Sequence, residues 1–169
     1  MHNEHPVVQL LAAQGPGRLY GVLDGARDHR IREWVGRHER GVCSLYEPVN
    51  HALAPWGPWL VDLHALAAEV MPLLLDGWGQ RHAIYLRSQT DLADARRHLR
   101  RLLRIELSAG RRAYFRFYDP GVLRVFLPTC TAAERVEFFG EATSMWAESK
   151  DGARALEFSR DPDTPRSPA

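Results

Sequence analysis

Cysteine is scarce in this sequence of 169 residues: it occurs twice, at Cys43 and Cys130, without a CxxC spacing. A disulfide framework is therefore not indicated, and neither is a cysteine-based zinc site. Beyond His2 and His5, which lie on a terminus that we expect to be frayed, no histidine pairs with a histidine or cysteine at helical ligand spacing. We therefore expect no metal and no other cofactor.

Long hydrophobic runs are also missing. No stretch approaches the roughly 18 apolar residues that a membrane-spanning helix needs. The apolar run from Val7 to Ala13 is too short and too poorly flanked for a secretory signal peptide. Together with the isolated cysteines, this predicts a cytoplasmic protein.

Neither sign of charge is in excess, because 22 Lys and Arg residues face 21 Asp and Glu residues and the net charge is +1. Such a chain has no overall field that would recruit nucleic acid or an anionic membrane. The catalytic motifs GxSxG and HExxH are absent, and so is the P-loop. Gly77-x-Gly79 precedes a predicted strand instead of a helix, which argues against a phosphate-binding loop there.

What is present indicates one globular domain, since 45% of the residues are hydrophobic and 25% are charged. Strand-like and helix-like segments alternate over the first 120 residues, which predicts an α/β fold: a mixed sheet flanked by helices, with a smaller, mostly helical C-terminal part. We expect an N-terminal segment at 1–17, a single domain at 18–160 and a disordered tail at 161–169. Within the domain, residues 18–120 form the sheet core and 121–160 the smaller part.

The periodicity of apolar residues sets the expected elements. Pro72 weakens or breaks one expected helix. The next helix is capped by Thr90 or Ser88, and its arginines surround an apolar stripe. A capping box at Thr131 and Glu134 begins a later helix that reaches Gly140. Strands are expected at 19–24, 42–47, 59–63, 82–87, 143–148 and 153–159, and helices at 7–14, 27–38, 66–75, 92–104 and 122–127. The last two strands form a hairpin.

Aromatic residues crowd the stretch from Tyr114 to Pro120. Their alternation predicts a strand that Pro120 ends, with Phe115 and Phe117 in the core and Arg116 and Tyr118 on the other face. A buried arginine in this position would need an acidic or carbonyl partner.

Four carboxylates lie at or near expected strand ends, where α/β folds often place their sites: Asp24, Glu47, Asp62 and Asp119. They could serve a small enzyme. The favoured interpretation is turn chemistry, in which each side chain accepts hydrogen bonds from nearby backbone N–H groups. No partner base or nucleophile is evident in the sequence.

Arginines cover one predicted helix, and three of them are Arg97, Arg101 and Arg104. Such a stripe could bind phosphates, which would suit a nucleic-acid-binding module. A solvated helix face is favoured because the chain has no basic excess. An acidic protein surface is a further possible partner.

Trp56 and Trp59 flank a Gly-Pro turn in a loop that cannot easily bury both rings. Exposed tryptophans would offer a partner large contact area at low entropic cost. The equally open alternative is a loop folded back over the core with both rings buried.

Five segments in this order resemble the successive motifs of the type VI secretion effector chaperones, also called adaptors, Tap or TEC proteins, which were long classed as a domain of unknown function. The resemblance extends from about Leu19 to Trp146, and the FRFYDP stretch is its most specific part. The segments are Leu45 to Glu47, Ala54 to Leu63, His98 to Leu103, Phe115 to Pro120, and Phe138 to Gly140.

This resemblance implies a cytoplasmic, non-enzymatic protein that binds a cognate toxic effector and helps to mount it on the VgrG spike, without being delivered itself. We expect Trp56 and Trp59 to contact the effector, with Arg97, Arg101 and Arg104 as a charged rim. The small enzyme and the nucleic-acid module remain alternatives. The family-motif residues expected to serve structure are Tyr46, Glu47, Arg116, Tyr118, Asp119 and Pro120.

Overall fold

The computed structural model describes residues 5–46, 52–106 and 110–161. Glu47 and all of the expected tail except Asp161 therefore lie outside the described residues. The helices are α1 Pro6–Ala12, α2 His29–Val35, α3 Leu63–Gly77, α4 Leu92–Leu102, α5 Pro120–Phe126 and α6 Ala132–Phe139. The strands are β1 Arg18–Asp24, β2 Val42–Ser44, β3 Pro58–Asp62, β4 Ala83–Ser88, β5 Arg104–Glu106, β6 Arg112–Tyr114, β7 Ala142–Glu148 and β8 Ala155–Ser159.

The described strands form a six-stranded sheet in the order β2-β3-β1-β4-β7-β8, and β5 and β6 form a separate two-stranded sheet. All of their pairings are antiparallel. The expected α/β class is confirmed, with helices flanking the sheet. The expected hairpin is also confirmed, and β7 joins it to the main sheet by pairing with β4.

Two hydrophobic cores lie on the two faces of the sheet, and alternation along β1 shows how they are separated. Leu19 and Leu23 belong to the core under α1, α2 and α3. Tyr20 and Val22 belong to the core under α4, α5 and α6. Each layer of helices thus covers its own face.

Two local expectations need correction. Helix α3 runs without interruption through Pro72, and its buried residues Val70 and Leu74 on either side hold it against the sheet. Helix α4 is capped by Asp91, whose side chain accepts a hydrogen bond from the Asp94 N–H at 2.9 Å. An aspartate is as good an N-cap as serine and stands directly before the helix. The capping box of Thr131 and Glu134 is confirmed.

The predicted aromatic strand is wrong after Tyr114, where β6 ends. The Phe115 N–H still donates to the Leu103 carbonyl, but the chain then turns, with the Asp119 N–H bonded to the Arg116 carbonyl at 3.1 Å. Because the backbone turns, alternation no longer assigns faces. Phe117 and Tyr118 are both buried, whereas the Arg116 side chain is half-exposed.

Pro120 begins a helix, as the Asp-Pro pair indicates. It is the first residue of α5, and Asp119 caps that helix by accepting a hydrogen bond from the Gly121 N–H at 2.8 Å. The turn therefore places Phe117 in the core and starts α5 within three residues.

Replacing Leu99 by alanine should test the packing of α4. Leu99 is fully buried, so the change should lower the free energy of unfolding by about 2–5 kcal/mol. Val125, 71% exposed on α5, gives a matched control whose alanine variant should stay within about 0.5 kcal/mol of the wild type. Equal denaturation midpoints for both variants would contradict the described core.

Candidate functional site

An open groove of about 560 Å³ lies between the end of α4, β5 and α6. Two of the apolar side chains in its lining are exposed: Ile105 by 39% and Val136 by 56%. Exposed apolar side chains gathered in a concave surface are typical of binding sites. The apolar lining consists of Leu102, Ile105, Phe115, Phe126, Val136 and Phe138.

Three phenylalanines from three elements form the aromatic part of this lining. The ring of Phe126 in α5 lies 4.8 Å from that of Phe115 and 5.2 Å from that of Phe138, centroid to centroid. The first pair is edge-to-face and the second is tilted, arrangements that favour aromatic contact. Phe138 is buried, but Phe115 and Phe126 are only half-buried and leave part of their rings at the groove.

The charges beside this groove differ from wall to wall. Arg101 and Arg104 come from the end of α4 and from β5, whereas Glu134 and Glu137 come from α6. Glu134 is engaged in the capping box, where the hydrogen bond from the Thr131 N–H lowers its pKa. Within the part of the chain that the structure describes, neither Arg101 nor Glu137 has an ion pair. One side chain of each sign is thus available to a partner.

His98 ties the two walls together. Its Nε2 lies 2.8 Å from the carbonyl oxygen of Phe138, which joins α4 to α6. Beside this contact Gly140 has φ 55°, and an added Cβ would stand 2.6 Å from the His98 ring. Glycine at this helix end is therefore required for both its backbone conformation and its close approach to α4.

The three arginines expected as a charged rim have different surroundings. Arg101 and Arg104 line the groove, and Arg101 also lines a neighbouring depression together with Arg97. Arg97 forms an ion pair with Asp94 one turn earlier in α4. Two members of the expected rim therefore contribute to the groove, and the third lies beside it.

The two tryptophans lie elsewhere. Trp56 is 51% exposed in a short 3-10 turn, with the Arg32 guanidinium carbon 3.8 Å from the centroid of its ring. Trp59 in β3 is half-buried, packs against the core under α1, α2 and α3, and donates from Nε1 to the Pro55 carbonyl at 3.3 Å. The fold thus leaves one ring accessible and partly covers the other.

The structure does not bring these tryptophans together with the arginines of α4. Trp59 shares a face of β3 with Val61 and packs in the core under α1, α2 and α3, and Trp56 stacks against Arg32 of α2. Helix α4 covers the opposite face of the sheet. The tryptophan surface, defined by Trp56 and the exposed Leu53, is consequently separate from the groove.

Three of the four strand-end carboxylates, all but Glu47, lie within the described residues and have the turn roles of the favoured interpretation. Asp24 accepts from the Ala26 N–H at 3.0 Å, and Asp62 caps α3 by accepting from the His64 N–H at 3.0 Å. Asp119 caps α5. Each also receives an arginine, so their oxygens are engaged by both backbone and side-chain donors.

Asp24 and Asp119 belong to one network with three arginines. Arg116 donates to Asp24 at 2.7 Å, so it has an acidic partner although its own side chain is half-exposed. Arg81 donates to both Asp119 oxygens, at 2.8 and 2.7 Å. Arg27 joins the Arg116–Asp24 pair to the Arg81–Asp119 pair, because it donates to Asp119 at 3.0 Å and lies 3.8 Å from Asp24.

Sequence patterns did not indicate that Arg81 belongs to this ion-pair network, or that Glu148 supports the turn that carries Arg81. Arg81 has φ 61°, which is unusual for a residue with a side chain. The buried Glu148 carboxylate accepts from the N–H groups of Gly79 and Arg81, at 2.6 and 2.8 Å, and holds this turn. The sequence indicates the Gly77-Trp78-Gly79 turn. The carboxylate that holds the turn comes from Glu148 in β7, 67 residues after Arg81, so no local pattern predicts it.

Tyr46, another family-motif residue, is half-buried against the core under α4, α5 and α6. Its ring meets that of Tyr114 edge-to-face, with the centroids 5.7 Å apart. Gly57 lies directly on this ring, since an added Cβ would be 2.5 Å from it. Tyr46 thus packs between Tyr114 and Gly57 at the edge of this core.

The comparisons with known proteins identify one family. A family model described as a domain of unknown function, DUF4123, matches residues 19–137. No curated protein and no solved structure matches the chain. Among the described helices none is long and apolar enough to cross a membrane. The described residues also contain no cluster of three His, Cys, Asp or Glu side chains that could hold a metal ion.

Asp119→Asn should show how much the ion pairs with Arg81 and Arg27 stabilise the fold. Asparagine keeps the oxygen that caps α5 but loses the charge, so we expect the free energy of unfolding at neutral pH to fall by about 1–3 kcal/mol. Asp76→Asn is the control, because its ion pair with Arg30 lies on the surface and should contribute less than about 1 kcal/mol.

The pH dependence provides a second measurement. Burial raises the pKa of Asp119, but the hydrogen bonds from Arg81 and the Gly121 N–H, with the nearby arginine charges, outweigh it and hold the pKa below the ordinary 3.8. A lowered native pKa stabilises the fold above the ordinary value, and this contribution is lost as the pH falls through the native pKa. The difference between wild type and Asp119→Asn should therefore shrink below pH 3.8. A difference independent of pH would contradict the ion pair.

Proposed function

This chain belongs to the DUF4123 family, a domain of unknown function, and we propose that it is a cytoplasmic chaperone or adaptor of type VI secretion. In this proposal it binds one cognate effector protein, shields part of it until assembly, and helps to load it onto the VgrG spike. It releases the effector when the effector docks on the spike. It performs no catalysis itself.

The sequence motifs support the proposal. The five segments that resemble the effector chaperones extend from about Leu19 to Trp146, and the family match covers residues 19–137. The most specific segment, FRFYDP, supplies Arg116 and Asp119 to the ion-pair network and Phe115 to the groove. Its residues thus support the fold and shape a surface at the same time.

The observation that carries the proposal is the open apolar groove. A chaperone must cover apolar surface of its client, which requires accessible apolar surface of its own. The groove offers this surface with an arginine on one wall and a glutamate on the other. Affinity for a protein segment would come from the phenylalanine floor, formed by Phe115, Phe126 and Phe138. The charges would select among segments.

The engagement of the strand-end carboxylates favours binding over catalysis. A general acid or base must have an oxygen free to exchange a proton with a substrate. Asp24, Asp62 and Asp119 instead accept from backbone N–H groups and pair with arginines. We therefore place the function in recognition of a partner protein.

Contacts of the α4 arginines also make a nucleic-acid module less suitable. Arg96 donates to the Ser44 carbonyl at 2.8 Å, and Arg97 pairs with Asp94. The net charge of +1 provides no excess of positive field. With two arginines of this helix engaged within the protein and no net positive field, the charge needed to displace counterions from phosphates is reduced.

The tryptophan surface is a second region where we expect contact with the effector or the spike. Trp56 is accessible and held in place by Arg32, so little side-chain entropy would be lost on binding. Trp59 supports the core and is a poor target for mutation, because its loss would also change stability. Trp56 alone therefore provides the clean test.

Trp56→Ala should weaken binding of the effector encoded beside this gene by roughly thirtyfold, since truncating an interface tryptophan commonly costs about 2 kcal/mol. Titration calorimetry with the purified proteins measures this, and Val125→Ala, also on an exposed residue, is the control. Unchanged affinity in Trp56→Ala would exclude the tryptophan surface as the contact.

The function as a whole is tested by assembly. The effector should co-purify with VgrG when this chain is co-expressed and should be lost from VgrG when it is omitted. Equal recovery of the effector on VgrG with and without the chain would refute the proposed function.

A further inference from the structure

We infer that the groove between α4 and α6 takes an amphipathic helix of the effector, which inserts its apolar face and presents an acidic side chain to Arg101 and a basic one to Glu137. The inference rests on the proposed function and specifies the client segment that the groove accepts. It concerns the groove lined by Leu102, Ile105, Phe115, Phe126, Val136 and Phe138.

The composition of the walls favours a helix over an extended segment. An extended segment needs unpaired backbone groups at the site, because its own N–H and C=O groups require partners when they leave water. Leu102, Phe126, Val136 and Phe138 lie in helices α4, α5 and α6, whose backbone groups are bonded within each helix. Ile105 lies in β5, an edge strand of the two-stranded sheet, and pairs with Ala113 on its β6 side. The preference for a helix therefore rests on the three helical walls. A helix satisfies its own backbone and needs only side-chain contacts.

The size of the groove agrees with a few anchoring side chains. Its volume of about 560 Å³ is comparable with that of small-molecule sites, about 300–1,000 Å³, which leaves room for a few side chains and not for a whole helix. Helices that dock in apolar grooves do so through residues at i, i+3 or i+4, and i+7. Half-buried Phe115 and Phe126 provide the floor for such anchors, and exposed Val136 and Ile105 lie beside them.

Charge complementarity sets the polar part of the client. Arg101 and Glu137 lie on opposite walls, and within the described residues neither has an ion pair. A docked helix would remove water from both, which is unfavourable unless an opposite charge replaces the water. The client helix should therefore carry an acidic residue on the edge that faces α4 and a basic residue on the edge that faces α6.

The first experiment compares two valines on exposed helix positions. Val136→Lys places a charge in the groove, whereas Val125→Lys places the same charge on α5 outside it. In titrations with the purified effector encoded beside this gene, Val136→Lys should lower affinity by about tenfold or more, and Val125→Lys by less than about twofold. Far-ultraviolet circular dichroism checks that both variants are folded.

The second experiment reverses one charge. Arg101→Glu should weaken effector binding and change its salt dependence, whereas Arg40→Glu, an exposed arginine that does not line the groove, should leave affinity unchanged. Overlapping peptides that together cover the effector sequence should include one that competes with the effector for the groove and gains a helical circular dichroism signal on binding. A competing peptide that stays non-helical overturns the inference.

The remaining outcomes separate the inference from the function. If the wild type binds the effector, and Val136→Lys and Val125→Lys bind it with equal affinities, the groove inference is overturned and the chaperone function stands. Failure of the wild type to bind the effector overturns both. A wild-type dimer that Val136→Lys converts to a monomer in sedimentation experiments would assign the groove to a second copy of the chain and overturn the effector helix.

Discussion

The ion pairs of Asp119 hold together parts of the chain that are far apart in sequence. Arg27 follows β1, Arg81 precedes β4, and Asp119 caps α5. The preceding turn carries Phe115 and Phe117, whose rings meet the aromatic side chains of α5 and α6. The groove therefore depends on this network, because the network fixes where the turn and α5 lie on the sheet. The two carboxylates are buried while the three arginines are partly exposed, so desolvation of the carboxylates offsets part of the attraction.

Local signals made part of this architecture predictable. The capping box of Thr131 and Glu134 and the β7–β8 hairpin are encoded within a few residues. Strands β1 and β4 are short apolar runs, as expected for strands buried on both faces. The failure at Phe115 to Tyr118 has a specific cause. Alternation reports faces only while the backbone stays extended, and here a turn, anchored by Asp119 and Arg116, buries neighbouring side chains together.

The candidate site was less predictable because several distant segments build it. Leu102 and Phe138 are 36 positions apart, and Phe115 and Phe126 join them only after α5 and α6 have packed on the sheet. Arg101 and Arg104 were identified from the sequence, but their opposite wall in α6 was not. The separation of Trp59 from α4 depends on the register of β3 against β1, which no local pattern states.

The groove combines charged and apolar surface, and the two differ in how much stability the unbound protein loses by leaving them exposed. Arg101 and Glu137 remain hydrated and cost little, whereas exposed Val136 and Ile105 forgo part of the burial that would otherwise stabilise the fold by about 25 cal/mol per Å². An apolar floor alone would accept many apolar segments. Charges of opposite sign on the two walls discriminate by orientation as well as by composition, because a helix docked in reverse would place like charges together. Under the proposed function, the phenylalanine rings of the groove would provide affinity for one client, and the charges of Arg101 and Glu137 would select it.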